Sequence, residues 1–299
     1  MSAAPTPSRN LAPFVAAAAG VGFLALMDAF MKVGALSSGA YTATTLRAVI
    51  GAAIVAPFWL VRRTHWPDRA TLKLHIERGV LTAFMALAFF YALTTMPIAE
   101  AIAISFIAPI IALYLARVML GERIQRGAVL ASVLGFIGTL VIVGGQIGLA
   151  SEEPVAMSPK LASGIAAMVF SAMLYAYNFI IIRRQSQVAG PVEIATFHSG
   201  VGGFVLMMGA PFFWNTPEMG DLLAIGAAGA LTVAGAMAIA WAYARAEAQA
   251  LVPMEYSGFL WASLFGWLFF RETVTVPTWI GAALIVAGCW IATRLSHQS

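Results

Sequence analysis

Apolar residues fall in ten long runs along the chain, at roughly 11–36, 38–61, 73–95, 97–119, 126–145, 160–183, 191–213, 220–244, 248–270 and 276–294. Charged and polar residues collect in the breaks between them. Each run is close to the ~20 residues that an α-helix needs to cross a bilayer. Several breaks are only a few residues long, which makes neighbouring helices antiparallel. The pattern predicts an all-α integral membrane protein with ten transmembrane helices.

The passage from Met96 to Arg126 organises this reading. It carries Glu100 near its start and Pro109 within the apolar run, and it stops at Gly121-Glu122-Arg123. A related passage, Ala250 to Phe270 followed by Arg271-Glu272-Thr273, lies half a chain later. Glu122 and Glu272 are 150 positions apart, and Gly138 and Gly288 follow them at the same spacing. We read a duplication: a tail 1–10, a first five-helix repeat 11–145, a linker 146–159, a second repeat 160–294 and a tail 295–299. Five is an odd number, so a tandem copy inserts upside down. Inverted-topology repeats of this kind place solute sites at the interface of the halves near the midplane. Small residues four apart, such as Ala131 with Gly135 and Gly226 with Ala230, predict close helix packing.

Composition narrows the class. Hydrophobic residues make up 61% of the chain and charged ones 10%, against the ~25% charged that soluble domains carry. The net charge of +4 comes from basic residues beside apolar runs, which speaks for membrane orientation and against nucleic-acid binding. With loops numbered alternately, thirteen Lys and Arg fall on one side and two on the other. Both termini are therefore expected in the cytoplasm. The stretch 62–78 is rich in Arg and reads as a solvated inner loop. The single cysteine, Cys289, excludes an intramolecular disulfide. Motifs for zinc hydrolysis, serine hydrolysis and nucleotide binding are absent, so the sequence offers no catalytic set, metal site or cofactor.

Ionisable groups inside the runs matter most, because each costs roughly 2.5–3.5 kcal/mol at a helix centre. Asp28 and Lys32 share a helix face and can pair. Arg47 in the second run can meet Asp28, either as a static ion pair or as part of a charge-coupled site. Glu255 follows Pro253 and stands opposite Ser105 in the copy alignment, so it belongs to one half only. It would bind an amine or carry a proton, or pair with His198 or Arg47. His198 has an unperturbed pKa near 6.5, suited to proton handling, although packing is the commoner use of a lone histidine. Tyr91, Tyr175, Asn178, Trp241, Tyr256 and Trp261 supply rings and polar handles for a planar or amine-bearing solute. The candidate binding set is therefore Asp28, Arg47, Tyr91, Ser105, Tyr175, Asn178, Trp241, Glu255, Tyr256 and Trp261, with Glu255, His198 and Asp28 as candidate proton carriers.

Tyr91-Ala92-Leu93, Pro97, Ala99, Pro109 and Gly121-Glu122-Arg123, with Lys32, Arg47 and the tail Gly281-Ala282-Ala283-Leu284-Ile285, resemble the EamA-type drug/metabolite transporter superfamily. The resemblance covers nearly the whole chain. It implies two EamA repeats and a central cavity lined by helices 1, 3, 4, 6, 8 and 9. Met27-Asp28 and Glu255-Tyr256 look most like a bacterial branch that includes riboflavin and S-adenosylmethionine transporters. Phe259 departs from the proline matching Pro109, and Phe270-Arg271-Glu272 departs from Gly121-Glu122-Arg123, so the two gates differ.

The expectation is a secondary transporter of a small polar or aromatic metabolite. It would sit in the bacterial inner membrane as a monomer or homodimer, work by alternating access and use no cofactor. Its partners would be a small-molecule solute, the lipid bilayer and protons, with no nucleic acid. The alternatives are a membrane-embedded enzyme and a non-transporting structural or sensory protein.

Overall fold

The structure is a computed structural model and describes residues 11–62, 65–93, 104–105, 107–147, 159–270 and 276–295. Among the described residues there is no strand. The longer helices among the described residues are α1 (Ala12–Ser38), α2 (Ala40–Arg62), α3 (Arg69–Leu93), α4 (Ala108–Leu115), α5 (Arg126–Ile147), α6 (Pro159–Val188), α7 (Pro191–Met207), α8 (Met219–Tyr243), α9 (Ser257–Phe270) and α10 (Val276–Leu295), with single helical turns at Ala210–Phe213 and Ala248–Leu251. Among the described residues, five helices are long and apolar enough to cross a membrane: Ala12–Met31, Ala40–Arg62, Arg69–Ala92, Ala162–Val188 and Met219–Tyr243. Shorter apolar helices lie at Ala108–Leu120, Arg126–Val141 and Trp279–Gly288.

Local chemistry sets the boundaries. Gly39 turns the chain from α1 into α2 at φ 82°, a left-handed conformation that glycine adopts without steric cost. The Asp68 carboxylate accepts from the Thr71 N–H at 2.8 Å and caps α3. That bond holds the Asp68 carboxyl below its ordinary value. Helix α3 therefore starts at Arg69, and the basic stretch 62–78 is mostly helix rather than loop. Pro109 sits in the first turn of α4, where its missing N–H costs nothing. A π-helical turn, Ala116–Leu120, extends α4 and ends at Gly121, φ 71°.

The apolar run 248–270 is broken in three. A short turn, Ala248–Leu251, is followed by a 3₁₀ segment, Val252–Tyr256, which contains Pro253 and Glu255, and then by α9. Glu122 organises this break from the other half of the chain. Its two carboxylate oxygens accept from the N–H groups of Ala248 and Gln249, each at 3.0 Å, and Arg183 Nε stands 3.7 Å away. Burial pushes the Glu122 carboxyl above its ordinary 4.5, against the pull of those backbone donors.

Helix packing follows the chain's two-part organisation. The most extensive pairs are α1 with α8, α5 with α10, α3 with α6 and α2 with α7. Exchanging each helix for the one five places along maps this set onto itself. The α5–α10 crossing is built on small residues. A Cβ added to Gly135 would run into the Tyr256 ring, which packs there fully buried. Glu100, Arg271, Glu272 and residues 148–158 of the linker lie outside the described residues.

Candidate functional site

A cavity of about 160 Å³ lies between the two halves. From the first half, α1 contributes Leu24 and Met27, α2 contributes Thr44, Arg47 and Ala48, and α3 contributes Arg78, Thr82 and Met85. From the second, α6 contributes Tyr175, Asn178 and Phe179, α7 contributes His198 and Ser199, α8 contributes Thr232, Ala236 and Ile239, and Glu255 enters from the 3₁₀ segment. Most of the wall is apolar, with a few converging polar groups. That is the usual build of a small-molecule site.

Glu255 is buried, and its carboxylate accepts a 2.7 Å hydrogen bond from the Tyr175 hydroxyl. Helix α6 presents Tyr175 and Asn178 one turn apart, so both reach the cavity. The Asn178 amide oxygen accepts from Arg78 Nε at 3.0 Å. Arg78 Nη1 donates to Gln185 at 3.2 Å. The Gln185 amide nitrogen lies 2.5 Å from His75 Nδ1, and His75 Nε2 lies 3.0 Å from Glu193. Trp59 Nε1 donates to the same carboxylate at 3.3 Å, and Phe197 stacks on the His75 ring. One polar chain thus runs from the cavity at Asn178 to Glu193 near the start of α7. His198 faces Thr82 across 3.5 Å. Arg47 Nη1 rests on the Met27 sulfur at 3.2 Å.

The expected residues divide by position. Arg47, Tyr175, Asn178, Glu255 and His198 come together in the cavity wall. Asp28 on α1 is not among the lining residues and stands beyond ion-pair distance of Arg47, yet it lies within electrostatic reach of Arg47 and Tyr175. Tyr91 is 48% exposed and bonds the Ser163 hydroxyl at 2.9 Å. Ser105 lies just before α4, away from the lining. Trp241 lies under the Arg245 guanidinium, 3.9 Å from its ring centroid. Tyr256 packs against α5, and Trp261 donates to the Ala18 carbonyl at 3.0 Å while stacking on Phe265. The lining helices also differ from the set implied by resemblance: α2 and α7 take part, and none of the described residues of α4 does.

Arg78, Gln185, His75 and Glu193 were missed. On the sequence, Arg78 counts with the basic residues of the inner loop 62–78, although it falls five residues into the apolar run that starts at 73. The available signal was spacing: His75, Arg78 and Thr82 recur at three and four residues, a polar stripe on one helical face. Asn178 and Gln185 repeat it seven residues apart on α6.

Two stretches, residues 12–144 and 162–294, match the EamA-like transporter family. A pseudopaline exporter of Pseudomonas aeruginosa is 26% identical over 90% of this chain and 91% of that protein. A riboflavin transporter of Rhizobium johnstonii is 29% identical over 75% of this chain and 70% of its own. An S-adenosylmethionine uptake transporter of Rickettsia felis is 26% identical over 71% and 69% respectively. A solved crystal structure, 20% identical, superposes with a TM-score of 0.79 over 96% of this chain and all of the other. It shares the fold.

Proposed function

The chain belongs to the EamA-like transporter family, and from that premise we propose a secondary transporter that moves a small polar or aromatic metabolite across the bacterial inner membrane by alternating access. The observation that carries this reading is the cavity between the halves, walled by apolar side chains and by Arg47, Tyr175, Asn178, His198 and Glu255. Ten helices in two inverted five-helix repeats would enclose it, with both termini in the cytoplasm. The exchange symmetry of the helix pairs and the one-sided Lys and Arg distribution support that arrangement.

Helices α3–α4 and α8–α9 would rock about the seam. The broken passage around Pro253 gives α9 a joint beside Glu255, since a 3₁₀ segment inside a helical run marks a hinge. The cavity is smaller than the ~300–1,000 Å³ of drug-sized sites, so a solute the size of a flavin would enter only once the helices part. Glu255, held by Tyr175, is the proton or amine group of this reading, with His198 elsewhere in the same wall and Asp28 outside the lining set. The relatives named for riboflavin, S-adenosylmethionine and pseudopaline support a metabolite as cargo.

A thermal-shift screen of the purified protein against amino acids, flavins, nucleosides and S-adenosylmethionine tests the reading. Stabilisation by one class, lost in Glu255→Gln, supports it. Turnover of a lipid substrate by the purified protein would replace it with the enzyme alternative.

A further inference from the structure

The transport reading leaves two charges in the cavity wall that no carboxylate of the described residues meets at ion-pair distance. Arg78 is 4% exposed, and its two bonded nitrogens donate to the neutral amides of Asn178 and Gln185. The described residues give its remaining nitrogen, Nη2, no partner. Arg47 fares worse: Nη1 meets only a methionine sulfur, a weak acceptor, and Nε is buried without a hydrogen-bond partner. The hydroxyls of Thr44 and Ser199, both in the lining, are likewise buried and unpartnered. Among the described residues no carboxylate approaches either guanidinium to ion-pair distance. Asp28 acts on Arg47 only from farther away, and Glu255 is bonded to Tyr175. Arg47, Arg78 and His198 all stand in the wall of the one cavity, with His198 within electrostatic reach of both arginines.

A buried charge is costly unless paired. Here the protein supplies the donors and omits the acceptor. The geometry points to a solute that brings its own anion: we infer that the cavity holds an amphipathic organic acid, its carboxylate bonded by Arg47 and Arg78 and its apolar body set against Met27, Phe179 and Ile239. Guanidinium groups match the planar carboxylate. The Gln185–His75–Glu193 chain holds Arg78 in place through its amide contact, and Glu193 supplies a negative charge at the far end. This inference rests on the transport reading and narrows its cargo to acids.

The test uses matched pairs that differ in head-group charge: benzoate with benzamide, L-phenylalanine with L-phenylalaninamide, succinate with succinamide. Thermal stabilisation of the purified full chain should follow the carboxylate member of at least one pair. Arg47→Gln and Arg78→Gln should each raise its half-saturating concentration by about tenfold to a hundredfold. Arg47→Lys and Arg78→Lys, which keep the charge and lose the fork, should fall between. Arg69→Gln removes a charge from the exposed start of α3 and should leave binding unchanged; it controls for net charge. Equal or stronger stabilisation by the amides overturns the inference, as does the absence of a carboxylate-selective shift in all three pairs, or selectivity that survives both glutamine variants. Flux into proteoliposomes separates the two claims. Amide flux without carboxylate flux keeps the transporter and overturns the acid, whereas carboxylate binding without flux of any kind keeps the acid and overturns the transporter.

Discussion

A Cβ built on Gly138 would stand 2.7 Å from the carbonyl oxygen of Gly281. The mirror contact exists as well: a Cβ on Gly288 would stand 2.8 Å from the carbonyl oxygen of Ala131. Gly138 and Gly288 are 150 positions apart, as are Ala131 and Gly281. The α5–α10 crossing is therefore made twice by the same pair of positions, one from each half. Backbone oxygens cannot swing aside as side chains do, so a methyl group must separate the helices.

Gly138→Ala and Gly288→Ala should each destabilise the protein by about 1–3 kcal/mol, the usual cost of overpacking. Thermal unfolding of purified variants measures it. A matching alanine at Gly226, whose Cβ would meet nothing within 4 Å, should leave the midpoint within a degree or two or raise it, since alanine is the better helix former. If all three variants unfold alike, the crossing is not as tight as described.

The Tyr175 to Glu255 hydrogen bond ties α6 to the 3₁₀ joint before α9. Tyr175→Phe removes the donor and leaves the carboxylate buried without it, a change of about 1.5–3 kcal/mol for a bond to a charged group. Transport should fall by about tenfold or more on that scale. Glu255→Gln should abolish it or flatten its pH dependence. Initial rates in proteoliposomes across a pH series measure both. Wild-type rates at every pH in Glu255→Gln would remove this residue from the mechanism.

Glu122 reaches from the end of the first half's π-helical turn to the Ala248 and Gln249 N–H groups. Glutamine there keeps one acceptor, turns an amide N–H₂ toward a backbone donor and loses the Arg183 contact. Glu122→Gln should cost about 1–3 kcal/mol through that unsatisfied donor. Burial raises the carboxyl above 4.5 in the fold, so folding favours its protonated form. The wild-type advantage should be largest at and below pH 4.5 and shrink as pH rises through the raised value. Unfolding midpoints of both proteins against pH check the sign; an advantage that grows with pH contradicts it.

Gln185 joins two buried groups, donating to His75 and accepting from Arg78. Gln185→Leu orphans both. Its stability should drop by about 1–3 kcal/mol for each partner left unpaired. Gln185→Glu restores an acceptor for Arg78 and should recover part of the loss. Comparison of the two variants by thermal unfolding separates a specific relay from simple filling of space.

Much of this site was legible in the residues. Arg47, Tyr175, Asn178, His198 and Glu255 stand out because polar groups within apolar runs need a reason to be there, and all five line the cavity. Trp241, Tyr256 and Trp261 gave no such guidance. A membrane helix is apolar toward lipid and apolar toward its neighbours, so its periodicity does not tell which face points inward. Their rings turned out to pack on Arg245, Gly135 and Phe265. Arg78 was hidden by a different effect. It lies within the apolar run 73–95, but charge counting grouped it with the basic stretch 62–78 and so with a loop, whereas the Asp68 cap and the helix that follows place it inside α3. Glu122 announced itself as a turn residue. Its partners at Ala248 and Gln249, on the far half of the chain, belong to tertiary structure alone.

The central claim is that solute passes through the cavity between the halves. Ala86 lines it and is only partly buried, so a large side chain there can project into the open volume. The decisive measurement is uptake into proteoliposomes, by wild type and Ala86→Trp, of a solute that stabilises the wild-type protein, with both proteins eluting as the same monodisperse species. Wild-type uptake with little or none in the plugged variant is the predicted result. Equal uptake by the two would place the path elsewhere and contradict the account.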